Sequence, residues 1–254
     1  MKLVSFDVGL RNLAFCVMEG TTRSNIKILH WDLIDVMAEV NGHDKPICIK
    51  CKKPAMWVQD ATSSYMCTRH KPKSAKPQTK SSLTKKTLDN LKIEALPFGI
   101  AGTTKKALVD GLYAHYSKTA WSRCAKSCKQ GSVLDLAPAI ASAFEARKDM
   151  WKNADLIAFE QQPDKRMMAA QGMMHMWFVT QGFKCKGISA VHKLTNIVTV
   201  QDATKTYKGR KNTGIIHAAE LVPTEQLKQY MLKHPKKDDL CDAFLQGLYV
   251  LEHN

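Results

Sequence analysis

No run of about eighteen apolar residues occurs in the 254-residue chain, so a membrane span is not expected. The strand pattern begins at residue 2, which leaves no room for a signal or transit peptide. Acidic residues are in deficit: 23 Asp and Glu face 38 Lys and Arg, a net charge of +15. That balance favours a polyanionic partner such as nucleic acid over small acidic metabolites. The expectation of no leader also bears on the eight cysteines. A chain this long can bury about three quarters of its unfolded surface and needs no disulfide staples, so an intracellular, reducing setting is expected.

What is present begins with Lys2-Leu-Val-Ser-Phe-Asp7-Val-Gly9-Leu-Arg11-Asn12. Leu3, Val4, Phe6 and Val8 have the bias of a buried strand, and Leu13 to Met18 reads as a second strand after a turn at Gly9. Asp7 falls near a strand end, where a carboxylate is costly to bury unless it is paired or bound to a metal. Taken alone it reads as an ordinary turn aspartate. Ile26 to Leu33 makes a third strand, and the short connections predict an antiparallel meander.

From Asn41 to about Gly102 the composition turns to Lys, Pro, Ser and Thr, which marks an insertion within the chain. Residues 43 to 86 alone hold eleven Lys or Arg against Asp44 and Asp60. Within the insertion, Cys48-Ile-Lys-Cys51 and Cys67-Thr-Arg-His70 form two hooks separated by fifteen residues. Four N/S ligands at that spacing suit tetrahedral Zn²⁺ in a closed structural site. Lys71 to Lys80 reads as a basic linker able to touch phosphates without reading bases.

Helical periodicity starts at Thr103 and recurs over Ser132 to Asn153, where Pro138 would have to lie in the first turn. Cys124 and Cys128 are four apart, and two thiols do not make a metal site. Leu156 to Phe159 is a short apolar run that ends on Glu160, a second carboxylate at a strand mouth. Arg166 to Phe183 is a Met- and Ala-rich helix suited to either core or self-association. Lys184 to Val191 offers a fifth strand, followed by His192 and Lys193. Residues 203 to 213 read as a basic glycine-containing loop carrying Lys205, Lys208, Arg210 and Lys211, and two helices follow, Thr213 to Leu221 and Thr224 to Leu232. The last helix opens with Asp238 and Asp239, and Asp242 shares a face with Asp239. Capping explains Asp238 or Asp239 but not Asp242, which an apolar run follows.

Asp7, Glu160, Asp239 and Asp242 thus need one explanation. Oxygen ligands at one sheet edge suit Mg²⁺ or Mn²⁺, and two such ions support phosphodiester cleavage. Ser5-Phe-Asp7-Val-Gly9-Leu-Arg11-Asn12, Ile157-Ala-Phe-Glu160-Gln161 and Lys237-Asp238-Asp239-Leu-Cys-Asp242-Ala243, in that order, resemble the RuvC-type Holliday junction resolvases of the ribonuclease H-like superfamily. The wording is nearest to poxvirus and other large-DNA-virus resolvases, with fungal mitochondrial resolvases more distant.

The resemblance implies an α/β fold with a five-stranded mixed sheet, carried here by residues 1–40 and 103–254. The basic 41–102 insertion with its zinc-type hooks departs from the family pattern, and its partner, whether DNA, another protein or a second subunit, stays open. It implies a homodimer that makes paired symmetric nicks in four-way DNA junctions with a two-ion Mg²⁺ or Mn²⁺ site. By that resemblance Asp7, Glu160, Asp239 and Asp242 hold the metals, with Asp238 a further candidate. Lys193 would contact the scissile phosphate, and Arg11, Lys205, Lys208, Arg210 and Lys211 the surrounding DNA. The expected location is the cytoplasm of an infected cell if the source is viral, with nucleus or mitochondrion as alternatives. The competing readings are another ribonuclease H-like nuclease, acting on RNA:DNA hybrids or flaps, and a non-catalytic zinc-ribbon nucleic-acid-binding protein.

Overall fold

The computed structural model describes residues 1–42, 46–71, 78–126, 128, 131–190 and 206–253. In chain order the elements are β1 (Lys2–Asp7), β2 (Leu13–Glu19), β3 (Lys27–Ile34), α1 (Val36–Asn41), β4 (Trp57–Gln59), β5 (Ser64–Met66), α2 (Lys80–Thr84), α3 (Leu88–Ala95), α4 (Lys105–Thr119) and β6 (Ser122–Arg123). There follow α5 (Val133–Glu145), α6 (Lys148–Trp151), β7 (Leu156–Glu160), α7 (Lys165–Thr180), β8 (Cys185–Ile188), α8 (Tyr207–Leu221), α9 (Glu225–Lys233) and α10 (Lys237–Glu252). They gather into two compact units, residues 1–40 with 127–254, and residues 41–126.

The larger unit is an α/β layer structure around a five-stranded mixed sheet of order β3-β2-β1-β7-β8. β1, β2 and β3 form the antiparallel meander, while β7 runs parallel to both β1 and β8. This is the five-stranded mixed sheet flanked by helices that the ribonuclease H-like resemblance implies. The central strand β1 is buried from Leu3 to Phe6, the polar Ser5 included, as expected of a strand covered on both faces.

Strand alternation sorts the core into two layers. Val4, Phe6, Phe15, Ile157 and Phe159 face α5, α6 and α7, where Phe6 stacks on Phe159 at 5.2 Å beside Phe144, Trp151 and Phe178. Leu3, Ala14, Cys16, Met18, Ala158 and Ile188 face α8, α9 and α10. The long α10 lies on this second face at close range: a Cβ at Gly247 would meet Met18 Cε at 2.5 Å and Ser5 Cβ at 3.0 Å. Gly247→Ala is therefore expected to cost about 1–3 kcal/mol through overpacking. Urea unfolding midpoints test this, and an unchanged midpoint would show that the helix has room to withdraw.

Local departures from the sequence expectation have physical causes. Pro138 sits in the second turn of α5, not its first, since the Ser132 hydroxyl caps the helix by accepting from Asp135 N–H. The carbonyl that loses its partner belongs to Leu134, which is 85% exposed and open to water. The helix expected to reach Asn153 stops at Glu145, and α6 is a separate turn that buries Trp151. The expected loop over 203–213 becomes α8 from Tyr207, capped by the Thr206 hydroxyl on Gly209 N–H, so Lys208, Arg210 and Lys211 ride on a helix. Residues 203–205 lie outside the described residues.

The smaller unit holds two cores of its own. Leu83, Leu91, Ala95, Leu108, Val109 and Leu112 join α2, α3 and α4. Cys48, Met66, Cys67 and Trp121 pack near the three-stranded sheet β5-β4-β6. The insertion expected to end at 102 is thus part of a unit that ends at Lys126: α4 spends its apolar stripe on Leu83 and Leu91.

Candidate active site and a cysteine-histidine cluster

Register and parity bring the two strand-end carboxylates to one place. Phe6 pairs with Phe159 across the parallel β1 and β7 strands, so the next residues, Asp7 and Glu160, end adjacent strands at their C-terminal mouths. Phe6 and Phe159 point into the α5–α7 layer, so by alternation both carboxylates belong to the opposite face, the one α10 covers. Glu160 is 9% exposed.

The helix side of the site is fixed by two buried hydrogen bonds. Trp31 Nε1 donates to the Leu240 carbonyl at 3.0 Å and ties the first turn of α10 to β3. Gln246 Nε2 donates to the Phe6 carbonyl at 3.4 Å, one residue before Asp7. Asp239, Asp242 and Gln246 follow i, i+3, i+7 spacing, so the stripe that carries Gln246 to β1 also carries the two aspartates toward the Asp7 end. Gly214 of α8 leaves space opposite: a Cβ there would lie 3.9 Å from Asp242 Oδ1.

The electrostatics agree with this placement. The Asp239 carboxyl is raised above its ordinary value by burial, by Asp238 and by Asp7, with Lys211 and Lys236 opposing. Mutual repulsion between Asp7 and Asp239 is what a cation would relieve. Asp238 differs. Burial raises its carboxyl too, but the Lys211 hydrogen bond and charge outweigh that and lower it. Lys211 Nζ donates to Asp238 Oδ2 and lies 3.6 Å from Asp239 Oδ1.

Among the described residues no three of the four carboxylates bring oxygens within 4.8 Å of one another, whereas Cys48, Cys51, Cys67 and His70 do bring their ligand atoms that close. Cys48 Sγ and Cys67 Sγ each lie 3.6 Å from His70 Nδ1, and Cys51 Sγ lies 3.7 Å from Cys67 Sγ. The first hook is shaped by Lys52 N–H donating to the Cys48 carbonyl at 2.9 Å, the second by His70 N–H donating to the Cys67 carbonyl at 3.1 Å. Burial raises the Cys48 thiol, but bonds from the Cys67, Lys50 and Cys51 backbones and from the His70 ring outweigh it, and the value falls from 9.0 to about 5. A thiolate-bearing set of three sulfurs and one imidazole is a metal-binding donor set.

The remaining expected residues divide by position. Arg11 is exposed on the turn after β1, where a Cβ at Gly9 would strike the Asn12 carbonyl at 2.6 Å. Lys208 and Arg210 stand in the first turn of α8. Lys193 and Lys205 lie outside the described residues. Lys211, expected among DNA contacts, is placed with the α10 aspartates. Gln246 escaped the sequence reading, although a glutamine inside the apolar run after Asp242 was the signal available.

No protein-family model matches the chain. It is 26% identical, over 311 aligned positions, to an uncharacterized protein of Acanthamoeba polyphaga mimivirus, across 99% of this chain and 75% of that one. Among solved structures it is similar to the yeast mitochondrial Holliday junction resolvase Ydc2, with a TM-score of 0.42, 11% identity, and coverage of 98% of this chain and 78% of the other. It is also similar to Thermus thermophilus RuvC, solved in complex with Holliday junction substrate, with a TM-score of 0.42, 9% identity, and coverage of 100% and 94%. The fold assignment itself rests on the strand order and helix layers of this chain.

Proposed function

We propose that this chain is a metal-dependent, structure-selective endonuclease that resolves four-way DNA junctions by paired symmetric nicks. One observation carries the reading. Asp7 and Glu160 end adjacent parallel strands on the face covered by α10, whose Asp239 and Asp242 lie on the stripe that bonds to β1 through Gln246. The sequence motifs around these four residues resemble those of RuvC-type resolvases in the same order.

Asp7, Glu160, Asp239 and Asp242 would hold Mg²⁺ or Mn²⁺, which supplies an activated water and charge for the leaving oxygen of a phosphodiester. Asp238 is held by Lys211 and is the weaker candidate ligand. Lys211 keeps the aspartate pair partly neutralised and would exchange that role with the metal charge. Lys193, Lys205, Lys208 and Arg210, with Arg11, are proposed to meet the DNA around the cut.

Symmetric nicking calls for two copies of the site. We assign the partner surface to α7, which buries Ala170, Met174 and Phe178 but leaves Met168, Met176 and Val179 exposed on its other side. Cys48, Cys51, Cys67 and His70 would hold a structural Zn²⁺. The viral relative fits action in a virus-infected cell. No helix of the described residues is long and apolar enough to cross a membrane.

The test is purified protein with a synthetic four-way junction, a flap and an RNA:DNA hybrid, with and without Mg²⁺. Symmetric nicks in the junction alone, dependent on the ion, are the expected result. Preferential cutting of the hybrid or the flap would replace the reading with another ribonuclease H-like activity, and binding without any cutting would leave a non-catalytic module.

A further inference from the structure

Most of the net positive charge belongs to one unit. Residues 41–126 contain 17 Lys and Arg against 5 Asp and Glu, which is +12 of the chain's +15, whereas the other 168 residues contain 21 against 18. Such an excess opposes compaction through self-repulsion unless a polyanion offsets it. The unit carrying the four acids is therefore close to neutral in total, and most of the chain's net attraction for a polyanion comes from the other unit.

Within the basic unit, α2, α3 and α4 close around their own apolar core. The turn into α4 packs tightly, since a Cβ at Gly111 would meet Ile100 Cγ2 at 2.6 Å and one at Gly102 would meet Leu108 at 3.2 Å. Two lysines are used internally: Lys80 pairs with Asp110 at 2.8 Å and Lys86 with Glu94 at 2.6 Å. Lys85, Lys92, Lys105 and Lys106 are exposed and form no ion pair among the described residues. Lys105 and Lys106 open α4, whose first turn has no acid and whose cap is the Thr104 hydroxyl.

The kind of partner follows from what this surface lacks. Residues 78–119 contain seven lysines and no arginine, so they present point charges instead of the planar forks that read guanine edges. Its two exposed aromatic rings, Phe98 and Tyr113, each already have a neighbour on one face: Lys80 Nζ stands 5.2 Å from the Tyr113 ring, and Phe98 stacks on His115 at 4.0 Å. In the neighbouring sheet Trp57 lies between Lys71 at 3.6 Å and Arg123 at 5.3 Å. A single-strand binder would offer open rings for bases to stack on. A surface with seven lysines, and with two exposed rings that already have a stacked or cationic neighbour, suits the regular phosphate rows of a duplex.

We propose that the α2–α4 module is a second DNA-docking surface, separate from the carboxylate site, that holds duplex arms by their phosphates through Lys85, Lys92, Lys105 and Lys106 without reading sequence. It does not depend on the four carboxylates being a nuclease centre, and its test is separable from theirs.

The experiment is fluorescence anisotropy of the 254-residue chain with a short labelled linear duplex in magnesium-free buffer at several salt concentrations. The triple variant Lys92→Ala, Lys105→Ala, Lys106→Ala is compared with the same three positions changed to Arg. The alanine variant is expected to bind roughly tenfold or more weakly at about 0.1 M salt and to lose about 2 to 3 from the slope of log affinity against log salt. The arginine variant is expected to keep both. Unchanged affinity and slope in the alanine variant would overturn the proposal. So would equal weakening in the arginine variant, which would show a structural role, or loss of binding to duplex RNA or an acidic peptide with duplex DNA binding intact. Asp7→Asn is expected to leave linear-duplex binding undiminished, so failure of the cleavage reading shows in a different assay.

Discussion

Asp7→Asn is expected to lower junction cleavage by at least about a thousandfold, equivalent to about 4 kcal/mol of barrier, while junction binding stays equal or tightens. The substitution keeps the shape of the side chain at the end of β1 and leaves Phe6, on the other face, in its aromatic layer. It removes one negative charge from the place where a phosphate must approach, which accounts for the tighter binding. It also removes a charge that raises the Asp239 carboxyl. Because that carboxyl lies above its ordinary value, the stability of its protonated form is present at low pH and lost as pH rises through the folded value. In magnesium-free buffer at neutral pH the variant should therefore be relieved of repulsion at Asp239. Single-turnover cleavage and electrophoretic binding on the same junction decide the matter. Equal cutting by wild type and variant would refute the assignment.

The same substitution separates residues that sequence made legible from those it hid. Asp7 and Glu160 were readable because each ends a short apolar run, and period-two alternation then fixes which face they take. Asp239 and Asp242 were readable because three residues on a helix return to one side. What periodicity does not carry is the identity of the core that a stripe joins. The Leu108, Val109 and Leu112 stripe of α4 reads the same whether it completes the mixed sheet or packs on Leu83 and Leu91, and the structure shows the second. Local composition misled at 206–211, where Gly209 and three cationic side chains suggest a loop. There the Thr206 cap and the burial of Thr213 and Gly214 hold a helix. Lys211 was hidden for a related reason: its partners, Asp238 and Asp239, are more than twenty-five residues away and meet it only once α8 packs on α10.

The second large effect concerns the cysteine-histidine cluster. Wild-type protein is expected to carry one zinc per chain, and Cys48→Ser to lose it and to unfold the segment 46–71. The reason is the smallness of what else holds that segment. β4 and β5 are three residues each, β6 is two, and the buried apolar set is Cys48, Met66, Cys67 and Trp121, two of which are ligand candidates. A core of that size does not stabilise a fold alone, whereas a structural zinc contributes about 10 to 16 kcal/mol in small fingers. Hydrogen exchange should then rise in 46–71 and at Trp121 to Cys124 but not in α2–α4, whose core is distinct. Acid should mimic the mutation, because protons compete with the metal for the ligand thiolates. The Cys48 thiol is lowered to about 5. At Cys51 the Lys53 backbone bond lowers the thiol, but burial and the neighbouring Cys67 and Cys48 outweigh that bond and raise it. Zinc should therefore be released progressively as pH falls. Metal analysis of wild type without zinc, or stoichiometric zinc in Cys48→Ser, would remove the cluster from the list of metal sites and leave the hooks as a hydrogen-bonded turn pair.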